Sequence, residues 1–242
     1  MDRTALILVI GNEILTGKVE DTNSPFLAKE LYALGVRVRR IVTIPDEVET
    51  IGTVVRELSP RHDIVLTTGG VGPTHDDVTL AGVARAFGVP LERHPEMERI
   101  LREFYGSALV EPLLRMADLP RGMELLDQPE LRIPCVRMRN VYVFPGEPTI
   151  FRRKWAAIRE RFRSEPFALA RIWTLKEECD LAPLLEETLR RHPAVEIGSY
   201  PVYDRADYKV LLTIESRDRA AVTAARDDLL SRLPRASVVR SE

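Results

Sequence analysis

The segment Asp63-Ile-Val-Leu-Thr-Thr-Gly-Gly-Val-Gly-Pro-Thr-His-Asp-Asp-Val-Thr79 leaves a chain few ways to fold. Its apolar run, Ile64 to Leu66, reads as a buried parallel strand that opens directly into Thr67, Thr68, Gly69, Gly70 and Gly72. Asp76 and Asp77 follow, and then a helical pattern from Val78 to Phe87. A strand that ends in glycines and feeds a helix is a place to hold phosphate. Glycine lets backbone N–H groups approach the ligand, and the helix N-terminus adds partial positive charge. Two carboxylates beside such a cradle would repel the ligand unless they hold a cation or polarise a water. A plain strand-to-helix turn with an Asp cap needs neither three glycines nor two adjacent acids. The segment therefore points to a phosphate-bearing ligand and a hard metal ion.

The same alternation runs through the first half of the chain. Ala5 to Ile10 reads as a buried strand. Ser24 is placed to cap a helix with Pro25 at its first position, and Phe26, Leu27, Leu31 and Leu34 fall on one face of it before Gly35. Val36 to Ile44 alternates apolar and basic residues as a strand does, and Val48, Ile51, Val55 and Leu58 repeat at helical spacing. Such β-α-β-α-β-α order predicts an α/β fold, a mostly parallel sheet with helices on both faces. Beyond Gly88 the pattern is mixed. Helices are expected over 95–105 and 111–117, extended segments over 123–126, 134–139 and 141–144, and a basic helix over 149–163. Ser164-Glu-Pro166 is the linker expected between a domain of residues 1–164 and a small α+β domain of residues 165–242. The second is read as strand, helix, strand, strand, helix.

Composition removes several classes. The 242 residues are 45% hydrophobic, enough for a substantial core, and a net charge of −2 argues against a nucleic-acid binder, whose basic stripe would shift the total. Cys135 and Cys179 are far apart and form no C-x-x-C, so neither a zinc site nor a disulfide framework is expected. The apolar run at 5–10 is too short for a signal-peptide core, and nothing approaches the length of a membrane span. A cytoplasmic protein without a membrane or nucleic-acid partner is the expectation, with self-association as a dimer or trimer.

Two tempting motifs fail. Gly11 to Lys18 imitates a P-loop, but the spacing is one residue too long and Val19 stands where a magnesium-binding hydroxyl belongs. Gly70-Val-Gly72 begins a dinucleotide fingerprint, but His75 occupies the place of its third glycine. The basic side chains of 152–163 read as a solvated helix face.

In an open parallel sheet, ligands sit beyond the carboxyl ends of the strands. Four loops leave such ends, and they include Gly11, Asn12 and Glu13; Pro45, Asp46 and Glu47; Gly69 to Asp77; and Pro145, Gly146 and Glu147. Together with Thr68 at the strand end they give the candidate substrate contacts Gly11, Asn12, Glu13, Thr68, Gly69, Gly70, Gly72, Pro73, Thr74, Pro145, Gly146 and Glu147. The N–H groups from Gly69 to Gly72 would take one phosphate. The rim carries surplus negative charge, unfavourable without a bound cation.

Gly11-Asn-Glu-Ile-Leu-Thr-Gly17, Asp21-Thr-Asn23 and Thr68-Gly-Gly-Val-Gly-Pro-Thr-His-Asp-Asp-Val-Thr79 resemble the molybdopterin-binding domain family. Its members include the MoaB/Mog proteins of molybdenum-cofactor synthesis, the N-terminal domain of CinA and the molybdopterin-binding-like domain of eukaryotic FAD synthase. The likeness is strongest to the last of these, through Ile44-Pro-Asp-Glu-Val-Glu-Thr-Ile51, Arg139-Asn-Val-Tyr-Val-Phe-Pro-Gly146, Gly198-Ser-Tyr-Pro201 and Tyr208 to Glu215. The resemblance implies a three-layer α/β/α domain and a nucleotide or pterin ligand. Mog-type members adenylylate molybdopterin, whereas the CinA and FAD-synthase versions are associated with metal-dependent hydrolysis of pyrophosphates such as FAD or ADP-ribose. Asp46 and Asp77 match the catalytic acids. Asp76 replaces a basic residue of the Mog pattern, which favours hydrolysis over adenylylation. Asp46, Asp76 and Asp77 are then the expected ligands of Mg2+ or another divalent metal.

Overall fold

Six consecutive apolar residues, Ala5 to Ile10, form a strand that needs cover on both faces, and the fold supplies it. The computed structural model describes residues 2–126, 128–204 and 207–242, and it divides into two units, Met1–Ser164 and Glu165–Glu242. The first unit begins with β1 (Thr4–Ile10), α1 (Asn12–Leu15), α2 (Asn23–Ala33), β2 (Arg37–Ile44), α3 (Val48–Leu58), β3 (Ile64–Thr68) and α4 (Thr79–Phe87). It continues with β4 (Leu91–Arg93), α5 (Pro95–Tyr105), α6 (Glu111–Leu114), β5 (Asp118–Pro120), β6 (Glu124–Leu126), β7 (Cys135–Met138), β8 (Val141–Phe144) and α7 (Pro148–Ile158).

The main sheet has the order β2-β1-β3-β8-β7-β6. Its first four strands are parallel, and β7 and β6 add an antiparallel edge. Residues 5 and 64 are register partners, so the two strands expected from the sequence are neighbours in one sheet. Successive strand residues point to opposite faces. Leu6, Leu8 and Ile10 of β1 meet Ile51 and Val55 of α3, Val83 of α4 and Met97 of α5. Ala5, Ile7 and Val9 meet Leu27 and Leu31 of α2 and Phe151 and Trp155 of α7. This is the expected three-layer α/β arrangement. A two-stranded ladder of β4 and β5 was not expected; with three residues in each strand there is no period to read.

The start of α2 differs from expectation. The helix begins at Asn23 rather than Pro25, with Thr22 at the cap position, and the side chain that accepts its first N–H groups is that of Asp21 rather than Ser24. Asp21 Oδ1 accepts the backbone N–H groups of Asn23 (3.0 Å) and Ser24 (3.0 Å), and Asp21 Oδ2 accepts the Ser24 hydroxyl. A carboxylate two residues upstream reaches both orphan donors, which leaves Ser24 free to be buried. Asp21→Ala is expected to lower stability by about 1 kcal/mol. The check is the urea midpoint at constant m-value, and an unchanged midpoint would remove Asp21 as the cap.

The expected basic helix is shorter than its pattern. α7 stops at Ile158 and passes into a 3-10 turn over Arg159–Phe162. Its inner face is aromatic: Trp155 stacks on Phe162 with ring centres 5.1 Å apart, and its indole N–H donates to Glu30 Oε2 at 2.8 Å. Arg159 pairs with the same carboxylate at 2.8 Å, so one acid of α2 anchors two residues of this segment.

The second unit comprises β9 (Ala168–Thr174), α8 (Glu178–Arg191), β10 (Glu196–Pro201), β11 (Val210–Ser216), α9 (Arg219–Arg232) and β12 (Val238–Ser241). It is an antiparallel sheet of order β10-β11-β9-β12, packed through Ile172, Leu212 and Ile214 on Leu181 of α8 and Leu229 of α9. The last strand is an addition to the pattern read from the sequence. Among the described residues no helix is long and apolar enough to cross a membrane.

Candidate functional site

The chain runs from β1 outward to β2 and then returns to place β3 on the other side of β1. The sheet therefore switches direction between β1 and β3, and the loops leaving these two strands flank a crevice at their carboxyl ends. The loop after β8 joins them, because β8 is parallel to β3.

Close backbone contact holds these loops together. Gly69 has φ +105, and a Cβ there would lie 1.9 Å from the Ile10 carbonyl oxygen. Its N–H donates to Phe144 O at 3.2 Å, so it is committed to the scaffold and is not the phosphate donor expected of it. Gly146 packs against Gly69, where a Cβ would meet the Gly69 Cα at 3.3 Å. Asn23, at the start of α2, donates from Nδ2 to Thr68 Oγ1 (2.9 Å) and Gly146 O (2.8 Å). The Thr68 hydroxyl in turn donates to Pro145 O at 3.2 Å. Thr68 is buried and acts as a brace rather than the expected substrate contact. Thr79 Oγ1 donates to Gly69 O at 2.8 Å and closes the loop from the helix side. What remains open is the run Gly70, Val71 and Gly72, whose N–H groups find no backbone acceptor among the described residues.

The acids divide into distinct environments. Asp46 is half-buried, and its Oδ2 accepts the Asn12 N–H at 2.7 Å, which ties the end of β2 to the start of α1. A Cβ on Gly70 would lie 3.5 Å from Asp46 Oδ1, so that second oxygen borders the glycine loop. Asp77 Oδ2 accepts the Thr74 N–H at 2.8 Å and also the Thr74 hydroxyl. A Cβ on Gly72 would lie 2.6 Å from the same oxygen, so a side chain here would displace the carboxylate from this position. Asp76 faces solvent; the Thr74 hydroxyl, whose single proton serves either this carboxylate or that of Asp77, and its own backbone N–H lower its pKa. Glu147 caps α7, its Oε1 accepting Thr149 N–H (3.0 Å) and its Oε2 accepting Ile150 N–H (2.6 Å). These backbone donors, Ile150 first, depress its pKa. Expected as a substrate contact, Glu147 is chiefly a structural cap.

Among the described residues no group of three or more His, Cys, Asp or Glu side chains comes together to hold a metal ion. The expected trio of Asp46, Asp76 and Asp77 is not assembled, and Asp76 is exposed. Asp46 Oδ1 and Asp77 Oδ1 have no hydrogen-bond partner among the described residues. Each is a carboxylate oxygen beside the glycine loop, the kind of donor of which Mg2+ takes one or two before completing its shell with ligand phosphate and water.

A cavity of about 700 Å3 opens beside this loop. Of the expected contacts, Glu13, Gly69, Gly70, Gly72, Pro73, Asp77, Pro145, Gly146 and Glu147 line it. Gly11, Asn12, Asp46, Thr68, Thr74 and Asp76 do not; Gly11 is buried with its N–H on Ile44 O at 3.1 Å, and Thr74 serves the two acids. The rest of the wall was missed in the sequence. It comes from α5 and the segments around it (Met97, Phe104, Tyr105, Met116), from Leu131 to Pro134, and from Arg153 and Lys154 of α7. The adjacent aromatics Phe104-Tyr105, ending a charged helix, were the one local signal of a surface used for binding.

A three-layer α/β domain with a glycine loop at the switch point of its sheet defines a class, and comparison with known proteins identifies it. Residues 6–163 match the family model described as a probable molybdopterin binding domain, and residues 166–242 match the middle domain of FAD synthase. A protein of Archaeoglobus fulgidus is 36% identical over 220 residues, which cover 91% of this chain and 93% of that protein. A probable FAD synthase of Caenorhabditis briggsae is 32% identical over 252 residues, covering 93% of this chain and 48% of that protein. The chain thus spans about half the length of the FAD synthase relative. The crystal structure of the protein CinA, of unknown function, from Thermoplasma acidophilum superposes with a TM-score of 0.61 at 28% identity, over 66% of this chain and 99% of that one. The chain belongs to the molybdopterin-binding domain family, and it carries the FAD synthase middle domain behind that domain.

Proposed function

We propose that this chain is a metal-dependent nucleotide pyrophosphatase that hydrolyses a dinucleotide such as FAD or ADP-ribose to AMP and a second phosphate monoester. The observation that carries this reading is the placement of Asp77. Its carboxylate lines the same cavity as Gly70, Val71 and Gly72, whose N–H groups have no backbone acceptor among the described residues. An anion held by those donors lies beside a carboxylate, an arrangement suited to displacement at phosphorus. The cavity volume falls in the range that takes a small-molecule ligand. The relatives named as FAD synthases support a nucleotide ligand.

The loop donors would bind and orient one phosphate, and the glycines allow its close approach. Asp46 and Asp77 would hold the divalent ion, which when bound neutralises the diphosphate and acidifies a water. Asp77 would orient that water toward phosphorus. The anhydride P–O bond breaks as the P–O bond to water forms, and the water's proton leaves to solvent. The apolar wall excludes competing water from the leaving monophosphate.

The test is AMP release, followed by product separation, from FAD, ADP-ribose and NADH with and without Mg2+, Mn2+ or Co2+. A parallel arm supplies ATP with molybdopterin. Metal-dependent AMP release from a dinucleotide is expected. Adenylylated molybdopterin in the parallel arm, with every dinucleotide intact, would replace hydrolysis by adenylyl transfer. Binding without any turnover would reduce the chain to a ligand-binding module.

A further inference from the structure

The charges that line the cavity are segregated. Its acids, Glu13, Asp77 and Glu147, all stand on segments that leave strand ends: Glu13 in α1 directly after β1, Asp77 in the loop after β3 and Glu147 at the cap of α7 after β8. Its bases are Arg132, Arg153 and Lys154; Arg153 and Lys154 donate to backbone oxygens of the segment 130–134, and none of the three pairs with those acids among the described residues. α7 connects the two ends: it starts next to Gly146 and presents Ile150, Arg153 and Lys154 to the cavity at the spacing of one helix face. Lys154 is six residues beyond Pro148, the first residue of the helix, about 9 Å along the axis at 1.5 Å per residue.

Lys154 is unusual among the basic residues of its helix because it is turned inward. Its ammonium donates to Ile133 O at 2.9 Å and to Pro134 O at 2.6 Å. Cys135 Sγ contacts its backbone oxygen at 3.8 Å, so the same strand entrance is held from both sides. An ammonium has three N–H donors, and two are used. No carboxylate pairs with it among the described residues, and burial pushes its pKa down. A desolvated cation without a counter-charge is unfavourable, and an acceptor arriving on a ligand would offset that cost.

Between the two ends the wall is apolar, formed by Met97, Phe104, Tyr105 and Met116 with Ile133 and Ile150. Phe104 remains 40% exposed and Ile150 50% exposed, and the Arg132 guanidinium sits 5.9 Å from the centre of the Phe104 ring. Along α7 the lining thus runs from the glycine loop past Ile150 to the Lys154 cation.

We infer that Lys154 determines specificity, and that the far end of the cavity is a subsite for a flat heteroaromatic ring with an apolar body and a carbonyl edge, the isoalloxazine class. This rests on the reading of the glycine end as the phosphate site. An isoalloxazine offers an apolar benzenoid body to the slot and carbonyl acceptors to the free Lys154 donor. Ribose 5-phosphate, the corresponding half of ADP-ribose, has no ring to fill the slot. The site selects a flavin dinucleotide over ADP-ribose.

The experiment is equilibrium binding of FMN to the full chain, read by flavin fluorescence, with AMP and ribose 5-phosphate as competitors. Lys154→Met keeps the length and apolar stem of the side chain and removes the charge. A hydrogen bond to a charged donor is lost, so FMN affinity is expected to fall roughly tenfold or more, with AMP and ribose 5-phosphate within about twofold of wild type. FMN affinity of the wild type is also expected to fall as pH rises through the lowered Lys154 pKa, a dependence absent from Lys154→Met. Unchanged FMN affinity in the variant overturns the proposal. So does an equal loss for all three ligands, which would make Lys154 a general anion contact or a structural residue. If the variant does not fold, the wild type alone decides, since FMN binding no tighter than ribose 5-phosphate is equally fatal. Binding is measured without turnover. FMN selectivity without AMP release therefore rejects hydrolysis and keeps the subsite, and AMP release without FMN selectivity does the reverse.

Discussion

Gly69→Ala is expected to destabilise the first unit by about 3 kcal/mol or more, well beyond an ordinary glycine substitution. Two causes add. The residue sits at φ +105, a region that L side chains rarely adopt, and its Cβ would come within 1.9 Å of the Ile10 carbonyl oxygen. The obstacle is backbone at the end of the central strand, which cannot turn aside as a flexible side chain would. Gly88→Ala is the matched control. It has φ +66 at the end of α4 and nothing within 4 Å of its Cβ, so only the conformational penalty of about 1 kcal/mol applies. Urea unfolding followed by Trp155 emission, in a Trp173→Phe background, reports on the first unit. Equal losses for the two alanine variants would show that β1 and the glycine loop separate easily, and the rigid cradle would have to be abandoned.

The contrast between Gly69 and Lys154 shows what was legible in the sequence. Gly69 could be read because its signal is local. A buried strand running into glycines restricts both fold and ligand within about ten residues. The three-layer order followed from the same kind of signal, since each strand and helix near the N-terminus carries its own period. Lys154 was not legible. It stands among five arginines between 152 and 163, a stretch that reads as one basic helix, and nothing in that spacing says that one cation turns inward. Its burial is decided by the carbonyls of Ile133 and Pro134, about twenty residues away, in a segment whose pattern was mixed. Glu147 and Thr68 show the opposite error. Both stand in loops that do form the rim, but one is taken up by the N–H groups of its own helix and the other by a buried brace. Sequence identifies the loops that meet, and hydrogen bonding decides which of their side chains remain free for a ligand.

The same distinction orders the acids, and the largest catalytic effect is expected at Asp77. Asn in its place keeps an oxygen that can accept the Thr74 N–H, so the loop is retained while the negative charge is lost. Turnover of FAD is expected to fall by about 10²–10³-fold or more, because the loss falls on the step at phosphorus and not on ligand binding. FMN and AMP affinities should remain within about threefold of wild type. Asp46→Asn also keeps its acceptor for Asn12, and here partial recovery at high metal concentration is expected, as for an ion held by fewer charges. Asp76 faces solvent outside the cavity, so Asp76→Asn should change turnover less than about threefold, although the sequence pairs it with Asp77. Glu186→Gln, on an exposed turn of α8, should leave turnover unchanged. AMP release across a metal titration separates these variants. A fully active Asp77→Asn would move the chemistry off this carboxylate, and an Asp76→Asn as inactive as Asp77→Asn would mean that the loop closes around the ligand to bring both acids to phosphorus.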